Sequence, residues 1–336
     1  MRLLVFRLSA MGDVALTVPA LRAVLEANPG LHISFITRNT FAPFFEDIPR
    51  FTLISPDLSQ YKGFTGLYRL FRKLRKETDT DAVADLHDVL RTKVLRCFFR
   101  FAGIPVYKID KGRSEKRMLI KGKLFRPLKH SVERYLDVFR QAGLRTLPPG
   151  PGPHIHVPEV WKSSLPVPTP EGLKVGIAPC SRHILKTWPH DGMIRLMKMI
   201  REEKKKVTFY LFGGPEDREV LEKIAEAVGG NVYLNLSMSL RKQLVLMQQM
   251  HWVISMDSAN MHLAALLGVP VISIWGATHP YSGFAPWGAD EKWQVQIPKE
   301  ELPCRPCTVY GKGRCRRGDL ACLNRITPER IMATMV

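Results

Sequence analysis

The sequence holds no apolar run approaching the ~18 residues that a membrane-crossing helix needs. Its opening apolar stretch, Leu3–Phe6, is cut off by Arg7 and followed by Asp13, so no secretory apolar region survives and a cytosolic chain is expected. Neither a G-x-G-x-x-G fingerprint nor a G-x-x-x-x-G-K-[ST] loop is present, which disfavours a nicotinamide cofactor or a P-loop nucleotide. Acidic residues are in short supply: 31 stand against 50 basic ones, a net charge of +19. The excess is uneven, with 27 basic and 14 acidic residues in 1–150 and 23 and 17 in the remainder. Within Lys108–Lys129 nine residues are basic and two acidic. A stretch of one sign attracts anions, whether nucleic acid, an anionic membrane surface or a phosphorylated substrate.

What is present is a globular composition in 336 residues, enough for two ordinary domains. Strand-like runs alternate with helical periodicity: Leu3–Leu8, Val14–Ala27, Ile33–Thr37, then Ala82–Leu86 and a helix near Arg91–Ala102. Eight prolines between Leu147 and Gly172 interrupt the pattern, because residues without an N–H donor build neither a helix nor a central strand. The alternation then restarts: strands Val175–Ala178, Val207–Phe212, Trp252–Ser255 and Val271–Trp275, and helices Asp191–Glu203, Glu216–Val228, Leu240–Met250 and Met261–Leu267. This is α/β architecture with two parallel sheets and a hinge. The expected division is 1–160, 161–322 and a closing helix in 323–336, which in such folds often crosses back to the first domain. Ligands of such sheets bind at the carboxyl ends of strands, so the cleft between two of them is the expected site.

Three strand ends in the second half carry residues suited to a phosphate or a ribose. After Trp252–Ser255 come Asp257, Ser258, Ala259, Asn260 and, one turn later, His262, a helix start that can cradle a diphosphate. Ser181 and Lys186 follow another strand; Gly213, Gly214 and Glu216 follow a third, with Pro215 at a first helical position. In the first half, "RLSAMGDVAL" raises the question of why Gly12 and the acid Asp13 stand together after the first strand. The D-x-D at Asp79–Asp81 precedes a strand instead of following one and reads as coincidence. Cys304-x2-Cys307-x7-Cys315-x6-Cys322 has the spacing of a zinc site, and reduced thiols are the equal alternative.

In these motifs the chain resembles the ADP-heptose:lipopolysaccharide heptosyltransferase family, inverting glycosyltransferases with two facing Rossmann-like domains, the GT-B fold. "RLSAMGDVALTVPALRAV", "DLHDVLRTKVL" and "HSVERYLDVF" resemble its first domain; "KTWP", "FGGPED" and "DSANMHLAALLGVPVISIWGATHP" match its second in order. Ala259 departs from the glycine usual there. The resemblance implies that Asp13 is the general base removing a proton from the acceptor hydroxyl, with Gly12 keeping bulk away from the sugars. It implies Lys186 as a phosphate partner, Glu216 as a ribose or nucleotide partner and Ser258–His262 as the diphosphate cradle. No cofactor is expected to be required if a helix dipole and a lysine neutralise the leaving diphosphate. The expected partners are a nucleotide-sugar donor (ADP-heptose first), an anionic glycolipid acceptor met by Lys116, Arg117, Lys121 and Lys123, and the inner face of a membrane, with no nucleic acid. Two other readings stay open at this point: a related sugar-nucleotide enzyme such as an epimerase, and a basic nucleic-acid-binding protein.

Overall fold

The computed structural model describes every residue except Pro151, Ser163, Ser164, Pro166, Ser237 and Val336. Its contacts divide the chain into two units. Met1–Lys111 and Lys129–His156 form the first; Gly112–Leu128 and Val157–Val336 form the second.

The first unit is built on five parallel strands: β1 (Arg2–Phe6), β2 (His32–Ile36), β3 (Phe51–Ile54), β4 (Ala82–Asp85) and β5 (Val106–Lys108). They lie in the order β3-β2-β1-β4-β5, with Leu3 of β1 opposite Ile33 on one side and Ala82 on the other. Helices α1 (Met11–Ala15), α2 (Thr17–Ala27), α3 (Gly63–Glu77) and α4 (Leu90–Phe101) connect them. Strands buried on both faces read as continuous apolar runs, and β1 and β4 do so. On one face Leu67, Leu70, Phe71 and Leu74 of α3 join Leu95 and Phe99 of α4 against Leu4, Phe6 and Val83. Asp79 and Asp81, the D-x-D pair, bind the side chain and backbone of Arg2 and so tie down the start of β1.

Next in the chain is α5 (Arg113–Ile120), in the second unit, followed by α6 (Ser131–Gln141), which returns to the first and packs on α2. The second unit has six parallel strands: β6 (Leu173–Ala178), β7 (Val207–Leu211), β8 (Val232–Leu234), β9 (Trp252–Met256), β10 (Val271–Trp275) and β11 (Gln294–Gln296). Their order is β11-β10-β9-β6-β7-β8. Helices α7 (His190–Glu203), α8 (Arg218–Val228), α9 (Leu240–Gln248) and α10 (Ala259–Leu266) connect them, and α11 (Ala321–Asn324) and α12 (Pro328–Met332) close the chain. The last helix packs on α7, beside the Trp188 indole, which donates to the Ile326 carbonyl.

The grouping departs from a single boundary near residue 160. Gly112–Leu128, the heart of the basic stretch, belongs with the second unit. The reason is aromatic and backbone packing: Phe125 lies against His279 and Tyr281, and Leu128 N–H donates to the Tyr281 carbonyl. Seven of the elements just described had no counterpart in the sequence: β3, α3, the short β5, α5, the edge strands β8 and β11, and α11. Among the described residues no helix is long and apolar enough to cross a membrane.

Candidate active site

In an open parallel sheet the ligand crevice lies at the carboxyl edge where the strand order reverses. In the first unit that point falls between β1 and β4. After β1 the chain enters α1, which holds Gly12 and Asp13 inside a short helix; the N-cap is Ala10, so Asp13 is not the cap. Gly12 is buried within that helix, so it packs and does not form a turn tip.

The Asp13 carboxylate is about a third exposed (36%) and takes a 2.6 Å ion pair from Arg7, whose side chain is buried. Arg7 is fixed in turn by donating to the Leu86 carbonyl after β4 and by lying over the Tyr135 ring of α6. The Tyr135 hydroxyl donates to the Asp13 carbonyl. Burial opposes the Arg7 charge, yet Tyr135 and Asp13 together raise its pKa above the ordinary value. Orientation here is fixed at both ends, as a proton-transferring carboxylate requires.

β4 supplies the other wall. Asp85 is fully buried, accepts from the backbone N–H groups of His87 and Asp88, and pairs with Arg96 at 3.1 Å. Arg96 also reaches Asp88 at 3.2 Å. Burial, reinforced by Arg7 and Lys111, drives His87 down to about 3, and a neutral imidazole fits its accepting the Leu8 N–H. None of Arg7, His87 or Arg96 was singled out in the sequence. The acids could have pointed to Arg96, eight residues after Asp88 and on the next helix, but no spacing announces Arg7.

The second unit reverses its strand order between β6 and β9. Every donor-side residue expected after those two strands is at that edge. Lys186 follows β6 and pairs with the buried Asp257 at 3.0 Å; Asp257 also accepts from Thr278, at 2.8 Å, beyond β10. The Ser181 hydroxyl donates to the Asp257 carbonyl. Ser258 is the N-cap of α10, makes no side-chain capping bond, and lies 3.2 Å from the Ser255 hydroxyl. Ser258, Ala259 and Asn260 are half-buried, whereas His262, one turn in, is buried. The first N–H groups of α10 therefore open at the carboxyl edge, where the helix dipole favours an anion. Lys186 is held from below: a Cβ on Gly311, which sits at φ 76°, would come within 2.4 Å of the Lys186 stem.

After β7, Gly213 and Gly214 begin the turn into α8. Gly214 N–H donates to Asp217, so Asp217 caps this turn and the exposed Glu216 carboxylate is not consumed by it. A Cβ on Gly214 would sit 2.4 Å from Glu216, so glycine lets that carboxylate fold back over the loop.

Comparison with known proteins bears on the family and the fold. The model of glycosyltransferase family 9 (heptosyltransferase) matches residues 67–312. The chain belongs to that family. It is 26% identical to lipopolysaccharide heptosyltransferase 1 of Pseudomonas aeruginosa, with 98% of this chain and 96% of that protein covered. Its fold is similar to a family 9 glycosyltransferase from Veillonella parvula, with a TM-score of 0.76, 20% identity and 99% and 96% of the two chains covered. It also matches the E. coli ADP-heptose LPS heptosyltransferase II at a TM-score of 0.72 and 22% identity, covering 100% and 97%. The two-sheet GT-B architecture and the transferase assignment stand on these matches.

The basic residues of this family 9 transferase do not act as one group. Lys116 is buried, its ammonium 4.1 Å from the centre of the Phe284 ring, and so is not a surface charge. Arg117, Lys121 and Lys123 line a cavity of about 790 Å3 with Arg316, Thr308 and Tyr310. The four cysteines Cys304, Cys307, Cys315 and Cys322 are free thiols lining one small cavity of about 20 Å3. Burial raises Cys307 and pushes Cys322 up to about 11. Among the described residues no three His, Cys, Asp or Glu side chains are placed to hold a metal ion. The segment is pinned by the buried Arg305, which donates to the carbonyls of Trp275, Gly276, Ile297 and Thr278. Sequence reading missed Arg305; lying inside the cysteine motif, it looks like one more basic residue.

Proposed function

We propose that this transferase moves heptose from ADP-heptose to an anionic lipopolysaccharide inner-core acceptor, with inversion, at the inner face of the membrane. Asp13 takes the proton of the acceptor hydroxyl as its oxygen attacks the anomeric carbon. The bond from that carbon to the diphosphate breaks, and the diphosphate leaves as an anion. Arg7 acts as a positioning residue, because it touches Asp13 and not the reacting atoms.

The leaving charge develops on the diphosphate, and the parts suited to it are on the β6–β9 edge. Lys186 supplies a point charge, and the N–H groups at the start of α10 supply aligned donors. Ser181, Ser258 and Asn260 add side-chain polar contacts beside them, Glu216 takes the ribose or nucleotide, and Arg117, Lys121 and Lys123 meet anionic groups of the acceptor. Asp257 keeps Lys186 extended into place and offsets part of its charge.

The observation that carries this reading is the Asp13 carboxylate, part exposed at the first sheet's switch point and locked by a buried arginine. Asp13→Asn keeps the shape and removes the base. The test is turnover of ADP-heptose with a lipopolysaccharide-core acceptor, alongside calorimetric binding of ADP. Near-normal binding with turnover lost supports the assignment; wild-type turnover removes it.

A further inference from the structure

Helices α3 and α4 of the first unit carry a surface that the transfer reaction does not use. Phe64, Leu90 and Phe101 are 68%, 78% and 90% exposed, and Tyr68 is exposed beside them. Water-facing aromatics on this scale are costly unless something covers them. Phe64 and Tyr68 of α3 both contact the Phe98 ring of α4, at 5.0 and 5.4 Å, so the two helices share one aromatic cluster. On α4 Phe101 stands three residues beyond Phe98, a neighbour on the helix surface, and Leu90 begins the same helix.

Around the patch the charge has one sign. α3 exposes Arg69, Arg72, Lys73, Arg75 and Lys76, and α4 exposes Lys93 and Arg100. Glu77 is the acid of these two helices, and it is paired with Lys73. Apolar side chains ringed by lysine and arginine match the boundary of an anionic bilayer, where rings enter the acyl edge and cations meet headgroups. A nucleic-acid groove would instead engage the cations and leave Leu90 and Phe101 in water. The patch also adjoins a cavity of about 510 Å3 lined by Arg38, Asn39, Asp57, Leu58, Lys62 and Arg91, where three cations stand against one acid. Lys62 and Arg91 flank the patch in the chain, next to Phe64 and Leu90.

We propose that the α3–α4 face is the surface with which the enzyme sits on an anionic lipid bilayer. The inference rests on the reading that the acceptor is lipid-linked, and it adds where the lipid surface is met.

Vesicle co-sedimentation of the full chain tests it, with phosphatidylcholine alone and with an equimolar phosphatidylcholine–phosphatidylglycerol mixture. Binding is expected to the mixed vesicles and to fall with salt. Arg72→Glu with Lys76→Glu should weaken it by more than tenfold, at about fivefold for each basic residue lost. Phe64→Ser with Leu90→Ser and Phe101→Ser should weaken it by a further tenfold or more. Phe101→Ser alone, at the most exposed position, guards against a folding defect, as does an unchanged melting temperature. Turnover on an acceptor stripped of its acyl chains should be unchanged in all these variants. Wild-type vesicle binding by folded variants overturns the proposal, as does duplex DNA binding tighter than vesicle binding and indifferent to the serine changes. Patch-dependent vesicle binding without transfer to any acceptor supports the docking face and removes the functional reading.

Discussion

The two sheets reverse their strand order in the same way, yet the residues at the two reversal points differ in kind. At the β1–β4 edge each acid meets an arginine: Asp13 with Arg7, Asp85 and Asp88 with Arg96. Of these three acids Asp13 is the most exposed, and Arg7 holds it in one orientation. At the β6–β9 edge the acid Asp257 is buried, and a lysine, two serines and a helix start face outward. In the proposed reaction the first edge accepts a proton and the second holds an anion. The same topology hosts opposite chemistry because the sheet fixes only where side chains converge; which charges are buried and which are presented is set by the partners beneath them.

The sharpest way to break this comparison is to remove the carboxylate. Asp13→Asn is expected to lower kcat by roughly 10²–10⁴-fold while ADP affinity stays within a small factor, as calorimetry and single-turnover rates would show. Equal losses in both would mean that the β1–β4 edge also holds the donor.

The reciprocal change is Lys186→Ala. It should weaken ADP binding by about 10–100-fold, the range for a charge-assisted contact, and leave Asp257 buried beside Thr278 alone. Lys186→Arg should recover part of the affinity. ADP affinity unmoved by Lys186→Ala would assign the lysine to holding Asp257 only.

The first edge should also be acid-sensitive. His87 is neutral in the fold because its pKa is depressed to about 3 by burial, Arg7 and Lys111. The unfolded imidazole takes a proton near 6.5, so the unfolded state binds more protons between those values. Stability is therefore full above about pH 6.5 and falls as pH drops toward 3, by at most about 1.4 kcal/mol per pH unit from this residue. Urea unfolding across that window should show a shallower slope in His87→Gln. His279 is depressed to about 3 as well, by burial, Arg305 and Lys299, and should leave a residual slope of the same sign.

The smallest effect expected is at the basic cavity. Lys121→Glu with Lys123→Glu should raise the acceptor KM by several-fold at low salt and less at high salt. Because these residues belong to the second unit, ADP affinity is the discriminating readout. A larger loss of ADP than of acceptor would place the segment in the service of the edge it packs with.

Much of this was legible in the sequence because it depends on local pattern. Apolar runs punctuated by glycine and proline located β1, β4, β6, β7, β9 and β10, and the residues after β6 and β9 include most of the polar side chains gathered at the β6–β9 edge. The elements left out have mixed patterns. In α3, one residue in three is basic and its buried Leu67, Leu70, Phe71 and Leu74 are spread among charges. In β8, three half-buried residues form an edge strand too short to show a period.

The sequence by itself determined the α/β class and the two-sheet division, and it offered Asp13, Lys186 and Asp257 as candidate positions. Periodicity and strand-end motifs are properties of neighbours in the chain. Only the tertiary structure decided that Arg7 locks Asp13 and Arg96 locks Asp85. It alone decided that Asp257 faces Lys186 across 71 positions, that Lys116 is buried under an aromatic ring while Lys121 is not, and that the basic stretch joins the second unit. These are pairings between distant segments, set by which side chains the packed sheets bring within a few ångströms. A charge in a sequence has a sign, but it acquires a partner only when the fold closes around it.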